Sequence, residues 1–239
     1  MNYVILNGNK STAVQGLLIQ ELPPVSKPQM RSSIETIDGR DGDLITRLGY
    51  AAYDKILTIG LKKDADINDV ISYFVNNNEG AVTFSNEPDF YYRYSILEAI
   101  DFERLIRFRQ AKVTMHIQPF KFSLNEGNTE FLLPADKNLL VINSGNIYSK
   151  PIISIKGFGD VNVSLNGTQI FTIQFSTTAA ETITIDTEAM EAYDDRKLRN
   201  RDVTGDYNKF HLQIGRNAIK FSGTGVVSEV LIEKYSRWI

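Results

Sequence analysis

The chain has 239 residues with 26 basic and 29 acidic side chains, a formal net charge of −3 and no cysteine. So even a balance excludes the strong basic excess of a nucleic-acid binder. The missing cysteines remove disulfides, thiolate metal sites and thiol nucleophiles together. Hydrophobic residues at 42% and charged residues at 23% are ordinary for globular domains, and the length suits two β domains of about 110–130 residues each.

The opening, Met1 to Ser11, lacks the positive start, apolar stretch and small-residue cleavage site of a secretory signal. Synthesis in a reducing cytoplasm is the expectation, and no apolar run of about 18 residues is available for a membrane span. Strand signals then follow in order: Tyr3 to Leu6, Gly16 to Ile19, Ile34 to Ile37, Lys55 to Ile59, Val82 to Phe84 and Tyr92 to Ile96. Arg104 to Arg109 and Ala111 to Ile117 continue the set. Each alternates apolar and polar or is rich in β-branched residues, and Gly, Asn, Asp and Pro separate them. In Leu105 to Arg109, Ile106 and Phe108 alternate with Arg107 and Arg109, so a strand would put the two arginines on one face. That face is either solvated or a salt-bridging contact with a neighbouring subunit.

One short helix interrupts the strands. Asp66 can cap it, Val70, Ile71, Phe74 and Val75 fall at helical spacing, and Asn76 to Gly80 ends it. The segment from Val25 to Leu48 is polar and reads as a long hairpin or arm lying partly outside the core. Strand edges exposed in this way are templates for another chain.

Pro119 is expected to end the first domain's last strand, and a linker is expected within 122–138. The domains are drawn as 1–130 and 131–239. Strands resume at Leu139 to Ile142, Pro151 to Ile155, Val161 to Leu165, Ile170 to Phe175 and Thr182 to Ile185. Phe210 to Ile214, Ala218 to Phe221 and Val227 to Ile232 complete a sandwich pattern. Thr187 to Tyr193 reads as a short helix or a turn. Asn166-Gly167 marks a hairpin, because both residues accept positive φ.

No constellation for chemistry stands out. The two histidines, His116 and His211, fall in different domains. There is no Gly-x-Ser-x-Gly elbow, His-Glu-x-x-His helix or phosphate-cradling glycine loop. Asp38, Asp41 and Asp43 miss the spacing of a calcium loop, with Arg40 and Gly42 where oxygen ligands belong. Asp186 and Glu188 are the one acid pair of interest, and a turn with solvated carboxylates is the plainer reading. Phe90 to Tyr94 could stack on sugar rings, or could be a strand that sends alternate rings into the core. No catalytic, cofactor or metal residue is assigned, and a non-enzymatic role follows as the expectation.

Several stretches, taken in order, resemble the distal tail protein family of long-tailed, non-contractile bacteriophages. Ile37 to Gly42 resembles the family's Arg-Asp-Gly turn, and Asn86 to Tyr92 its acidic-Pro-Asp-aromatic segment. Ala111 to Phe120 is similar to the strand closing the first domain. Asn143 to Asn146, Lys150-Pro151 and Ile153 to Asp160 resemble the opening of the second. Ile183 to Asp186 and Leu212 to Asn217 also fit.

The resemblance implies an all-β chain with one short helix. Its first domain would be a β-sandwich or split barrel with an extended arm that forms a hexameric ring, and its second a galectin-like β-sandwich. It further implies a structural part of the virion tail tip, partnered with the tail tube, tape-measure and tail-associated or receptor-binding proteins. The expected ring contacts are Ser32, Ser33, Ile34, Thr36, Asp38, Arg40 and Asp41 on the arm, with Arg107 and Arg109. A carbohydrate-binding module for host cell-wall glycans is the alternative reading.

Overall fold

A computed structural model describes residues 1–127, 129–132 and 138–239, with side chains described outside 128–137. The chain forms two compact units, Met1–Leu124 with Ile239, and Asn125–Trp238. Both are built almost wholly from antiparallel strands.

The first unit runs β1 (Val4–Leu6), β2 (Asn9–Lys10), β3 (Leu17–Glu21), β4 (Met30–Thr36), β5 (Asp43–Tyr50) and β6 (Tyr53–Leu61). It continues with α1 (Ile67–Val75), β7 (Glu79–Phe84), β8 (Phe90–Ser95), α2 (Phe102–Phe108) and β9 (Gln110–Ser123). Its main sheet has the order β2-β1-β7-β8-β9-β6-β3 and curls into a half-barrel. The alternating residues of β6 and β9 explain the curl's inside: Leu57, Ile59, Val113, Met115 and Ile117 are all buried. Helix α1 closes this core with Val70, Tyr73 and Phe74, and the Asp66 carboxylate accepts from the Asn68 N–H at 2.8 Å as the expected cap. Val75, placed on the same stripe by spacing, is instead exposed.

Two expectations are corrected in this unit. Residues 102–108 form the helix α2 rather than a strand, so there are two short helices. Local chemistry outweighs the two-residue alternation. Asp101 accepts from the Arg104 N–H at 2.7 Å, Glu103 pairs with Arg107 one turn on at 2.6 Å, and Arg109 takes a left-handed φ of 57° that stops the helix. Strand β9 also does not end at Pro119 but runs on to Ser123. Pairing with β6 stops at Ile117, and the β8–β9 register shifts between Tyr92 and Tyr94, opposite residues 117–121. Proline is tolerated in a sheet at such irregularities, where no ladder bond needs its missing N–H.

The second unit contains β10 (Thr129–Leu132), β11 (Asn138–Asn143), β12 (Ile152–Phe158), β13 (Asp160–Leu165), β14 (Thr168–Gln174) and β15 (Glu181–Asp186). It continues with β16 (Glu191–Tyr193), β17 (Val203–Gly205), β18 (Gly215–Ser222) and β19 (Val226–Glu233), and a last two-residue strand is Arg237–Trp238. Two five-stranded sheets, β10-β19-β12-β15-β16 and β11-β18-β13-β14-β17, make a sandwich. Ile153, Ile155, Ile183, Val230 and Ile232 from the first meet Val163, Phe171, Ile173, Ile219 and Phe221 from the second in one core. Asn166 and Gly167, at φ 50° and 86°, form the hairpin turn between β13 and β14.

Here too the reading is amended in places. Phe210 to Ile214 is not a strand. It leaves a 3-10 turn at Tyr207–Lys209 and touches the sheet's surroundings through the bridge Ser149–Leu212, while Phe210 and Leu212 fill the core. Thr187 to Met190 is a turn and β16 follows it. Of the stretch expected as a linker, 122–123 complete β9 and 129–132 form β10, while residues 128 and 133–137 lie outside the described residues.

Candidate assembly interface

The feature that the core does not explain is the arm. Among the described residues, strands β4 and β5 pair only with each other, in a two-stranded sheet. No residue from Gln29 to Tyr50 is buried. An isolated two-stranded hairpin is marginal in water, and this one exposes a set of aliphatic side chains. Ile34 and Ile45 face each other across the ladder, each 61% exposed, and Ile37, Leu44 and Leu48 are exposed as well. Cross-strand partners share a face, so Ser32, Ile34 and Thr36 stand with Arg47, Ile45 and Asp43 on one side.

The arm's base is fixed firmly. Ala51 N–H donates to the Gln29 carbonyl at 2.8 Å, and the Tyr50 ring meets Phe120 edge-on at 5.5 Å. Just before the arm, the Lys55 ammonium donates to the Pro24 carbonyl at 2.8 Å and Asn86 donates to the Pro23 carbonyl at 3.2 Å. Lys55 is buried among the Tyr53, Phe84 and Tyr92 rings. Burial pushes its ammonium below the usual lysine range, and the nearby Glu87 carboxylate opposes that shift. Glu87 itself accepts from Lys121 and from the Tyr92 hydroxyl, both at 2.6 Å. Of the acidic-Pro-Asp-aromatic segment, Glu87 and Tyr92 thus form a buried polar knot with Lys55 beside the arm's root, while Asn86, Pro88 and Asp89 are exposed.

At the tip, Gly39 and Gly42 take φ of 83° and 77°, a region a side chain disfavours, and the Arg40 N–H donates to the Ile37 carbonyl. Thr36 Oγ1 donates to Asp43 Oδ1 at 3.0 Å across the last pair. A register shift between Arg31 and Ser32 leaves Leu48 as the extra residue of a bulge.

The structure brings Ser32, Ser33, Ile34, Thr36, Asp38, Arg40 and Asp41 together on this one hairpin. Arg107 and Arg109 lie on another element, α2 and its C-terminal cap. Sequence reasoning missed Leu44, Ile45 and Leu48. Their signal was the aliphatic content of Leu44 to Leu48, masked by the polar average of the segment.

The remaining candidates have partners within the chain. Tyr92 and Tyr94 are buried, with the Tyr94 hydroxyl donating to the Asn77 carbonyl, and Tyr91 stacks on Phe122 at 5.3 Å. His116 pairs with Asp54 across β6 and β9, and His211 bonds the Asn208 carbonyl in the other unit. Asp186 Oδ1 accepts from the N–H groups of Glu188 and Ala189, as a turn carboxylate does. Among the described residues no group of three or more His, Cys, Asp or Glu could hold a metal ion, and no helix is long and apolar enough to cross a membrane.

No protein-family model matches the chain, and no curated protein matches it. Among solved structures, the chain is similar to SPP1 Dit, described as a paradigm of the hub adsorption apparatus in phages infecting Gram-positive bacteria. That likeness covers 98% of both chains at 17% identity with a TM-score of 0.61. Two structures of the phage P2 baseplate in its activated conformation, with Ca and with Sr, match 98% of the chain at 11% identity and a TM-score of 0.47, over 99% and 98% of their own chains. Over nearly its whole length, the chain has the fold of SPP1 Dit.

Proposed function

We propose that the chain is a structural, non-enzymatic protein of a phage tail tip that forms a hexameric ring and links the tail tube to the host-adsorption apparatus. The observation that carries this reading is the arm: a firmly rooted hairpin whose aliphatic pair is 61% exposed among the described residues. Exposed apolar surface of that kind marks an interaction site, and its natural complement is another copy. The Dit fold across both units supports the same reading.

On this view residues 1–130 form the ring, through Ser32, Ser33, Ile34, Thr36, Asp38, Arg40 and Asp41 with Arg107 and Arg109. Residues 131–239 serve as a galectin-like docking module. Partners are the tail tube, tape-measure and tail-associated or receptor-binding proteins, at the virion tail tip. Negative-stain microscopy of the purified chain, alone and mixed with tail tube protein, tests it. Six-fold rings are the expected image, and single particles in both samples would refute the proposal.

A further inference from the structure

The arm has a counterpart elsewhere in the same unit. Helix α2 buries only Leu105, leaving Phe108 70% and Ile106 48% exposed. Phe102, one turn before Ile106, lines a depression of about 200 Å³ whose other apolar walls are Phe74, Val75, Ile96 and Ile100. A helix this short with two large side chains in water is poorly served by its own domain. The depression has room for an aliphatic side chain, and the arm presents several.

Charge separates the two surfaces in the complementary sense. Over residues 35–43 the arm carries Glu35, Asp38, Asp41 and Asp43 against Arg40 alone. Over residues 101–112 the α2 region carries Arg104, Arg107, Arg109 and Lys112 against Asp101 and Glu103. Asp101 is occupied as the helix cap and Glu103 with Arg107. Arg109 Nη1 donates to the Lys62 carbonyl at 3.4 Å, which brings the Lys62-Lys63 backbone alongside. Arg104 lies over the Phe108 ring at 5.6 Å, so apolar and basic groups are interleaved on one face.

Because no arm residue is buried, the arm is not seated on its own chain. We infer that the arm of one copy docks on the α2 face of the next, its aliphatic pair over Ile106 and Phe108 and its acidic tip against Arg104, Arg107 and Arg109. The inference rests on the ring reading and names the surface that receives the arm. A knob and a socket at different places on one chain make a heterologous contact, which closes into a ring when the rotation per copy allows.

The absence of native cysteine makes the test direct. Asp41→Cys and Phe108→Cys chains are prepared separately, mixed, and treated with a short bismaleimide. The expected result is a covalent dimer from the mixture, in excess of either variant alone and of Asp41→Cys mixed with Leu140→Cys. Oligomers that lose their mass when the arm is excised, yet give no excess of the arm–helix product, would overturn the inference and leave the ring reading standing. Failure of the intact chain to form any oligomer, with or without tail tube protein, would overturn the ring reading and this inference with it.

Discussion

At the scale of single residues, the second unit has one side chain on which a whole loop depends. Arg199, buried, donates to both oxygens of Glu181 at 2.8 and 2.9 Å, to Asp194 at 3.0 Å, and to Asp202. It ties residues 194–202 to the start of β15. The Arg196 N–H and then the Arg199 guanidinium hold the Asp194 carboxyl down at about 2, and Arg199 holds Glu181 below its ordinary value. Both carboxyls titrate lower when folded than when unfolded. Their contribution is therefore complete above the ordinary values of 3.8 and 4.5 and is lost as pH falls toward 2. Arg199→Met is expected to destabilise the second unit by roughly 2 kcal/mol, less than a fully buried pair because its partners are partly in water. Urea melts at pH 7 and pH 3 check this: the gap between wild type and variant should shrink at the lower pH.

Ile34 and Ile45 present the opposite case, side chains whose removal the folded chain should not notice. Exposed substitutions away from special backbone sites move stability by about 0.5 kcal/mol or less. Ile34→Asp with Ile45→Asp is expected to leave the melting curve of the dissociated chain in place while abolishing self-association, read by light scattering. A matching loss of folding stability would show that the pair serves the fold. Such residues were only half legible in the sequence. Ile34 lay in a visible alternation, whereas Ile45 lay between Leu44 and Thr46 in a segment that is polar on average. The Arg199 cluster was invisible, because Glu181 is brought to it by sheet pairing that no spacing rule encodes.

At the scale of elements, the arm is separable from what it is rooted in. Met30 and Tyr50 are cross-strand partners, so a three-residue Gly-Asn-Gly turn can replace residues 31–49. The excised chain is expected to keep its far-ultraviolet circular dichroism, less one hairpin, and its cooperative melt, since every core residue of the first unit lies outside the deletion. Loss of cooperativity would mean that the arm supports the core. Strands with clean alternation, such as β9 and β13, were legible because one face is buried and the other is not. Helix α2 was not, since Ile106 to Arg109 alternates as a strand would and hides the helical spacing of Phe102, Leu105 and Ile106 behind the Asp101 cap. Phe210 to Ile214 failed for a related reason: Phe210 and Leu212 are buried, and two buried residues at period two do not require strand pairing.

At the scale of the whole molecule, the all-β, two-unit architecture followed from strand density, turn residues and the want of long helical periods. The ordered motif matches pointed to the fold that SPP1 Dit displays, even though only 17% of aligned residues are the same. What remained illegible was which arm side chains stand in water, because Leu44, Ile45 and Leu48 look like core candidates until their exposure is known. The proposed ring rests on the exposed arm as its assembly device. Sedimentation equilibrium of the intact chain beside the arm-excised chain, alone and with tail tube protein, tests that claim most directly. The intact chain should reach a closed hexamer in at least one of these conditions while the excised chain stays monomeric. An excised chain that assembles as well as the intact one, or an intact chain that remains a monomer throughout, would contradict it.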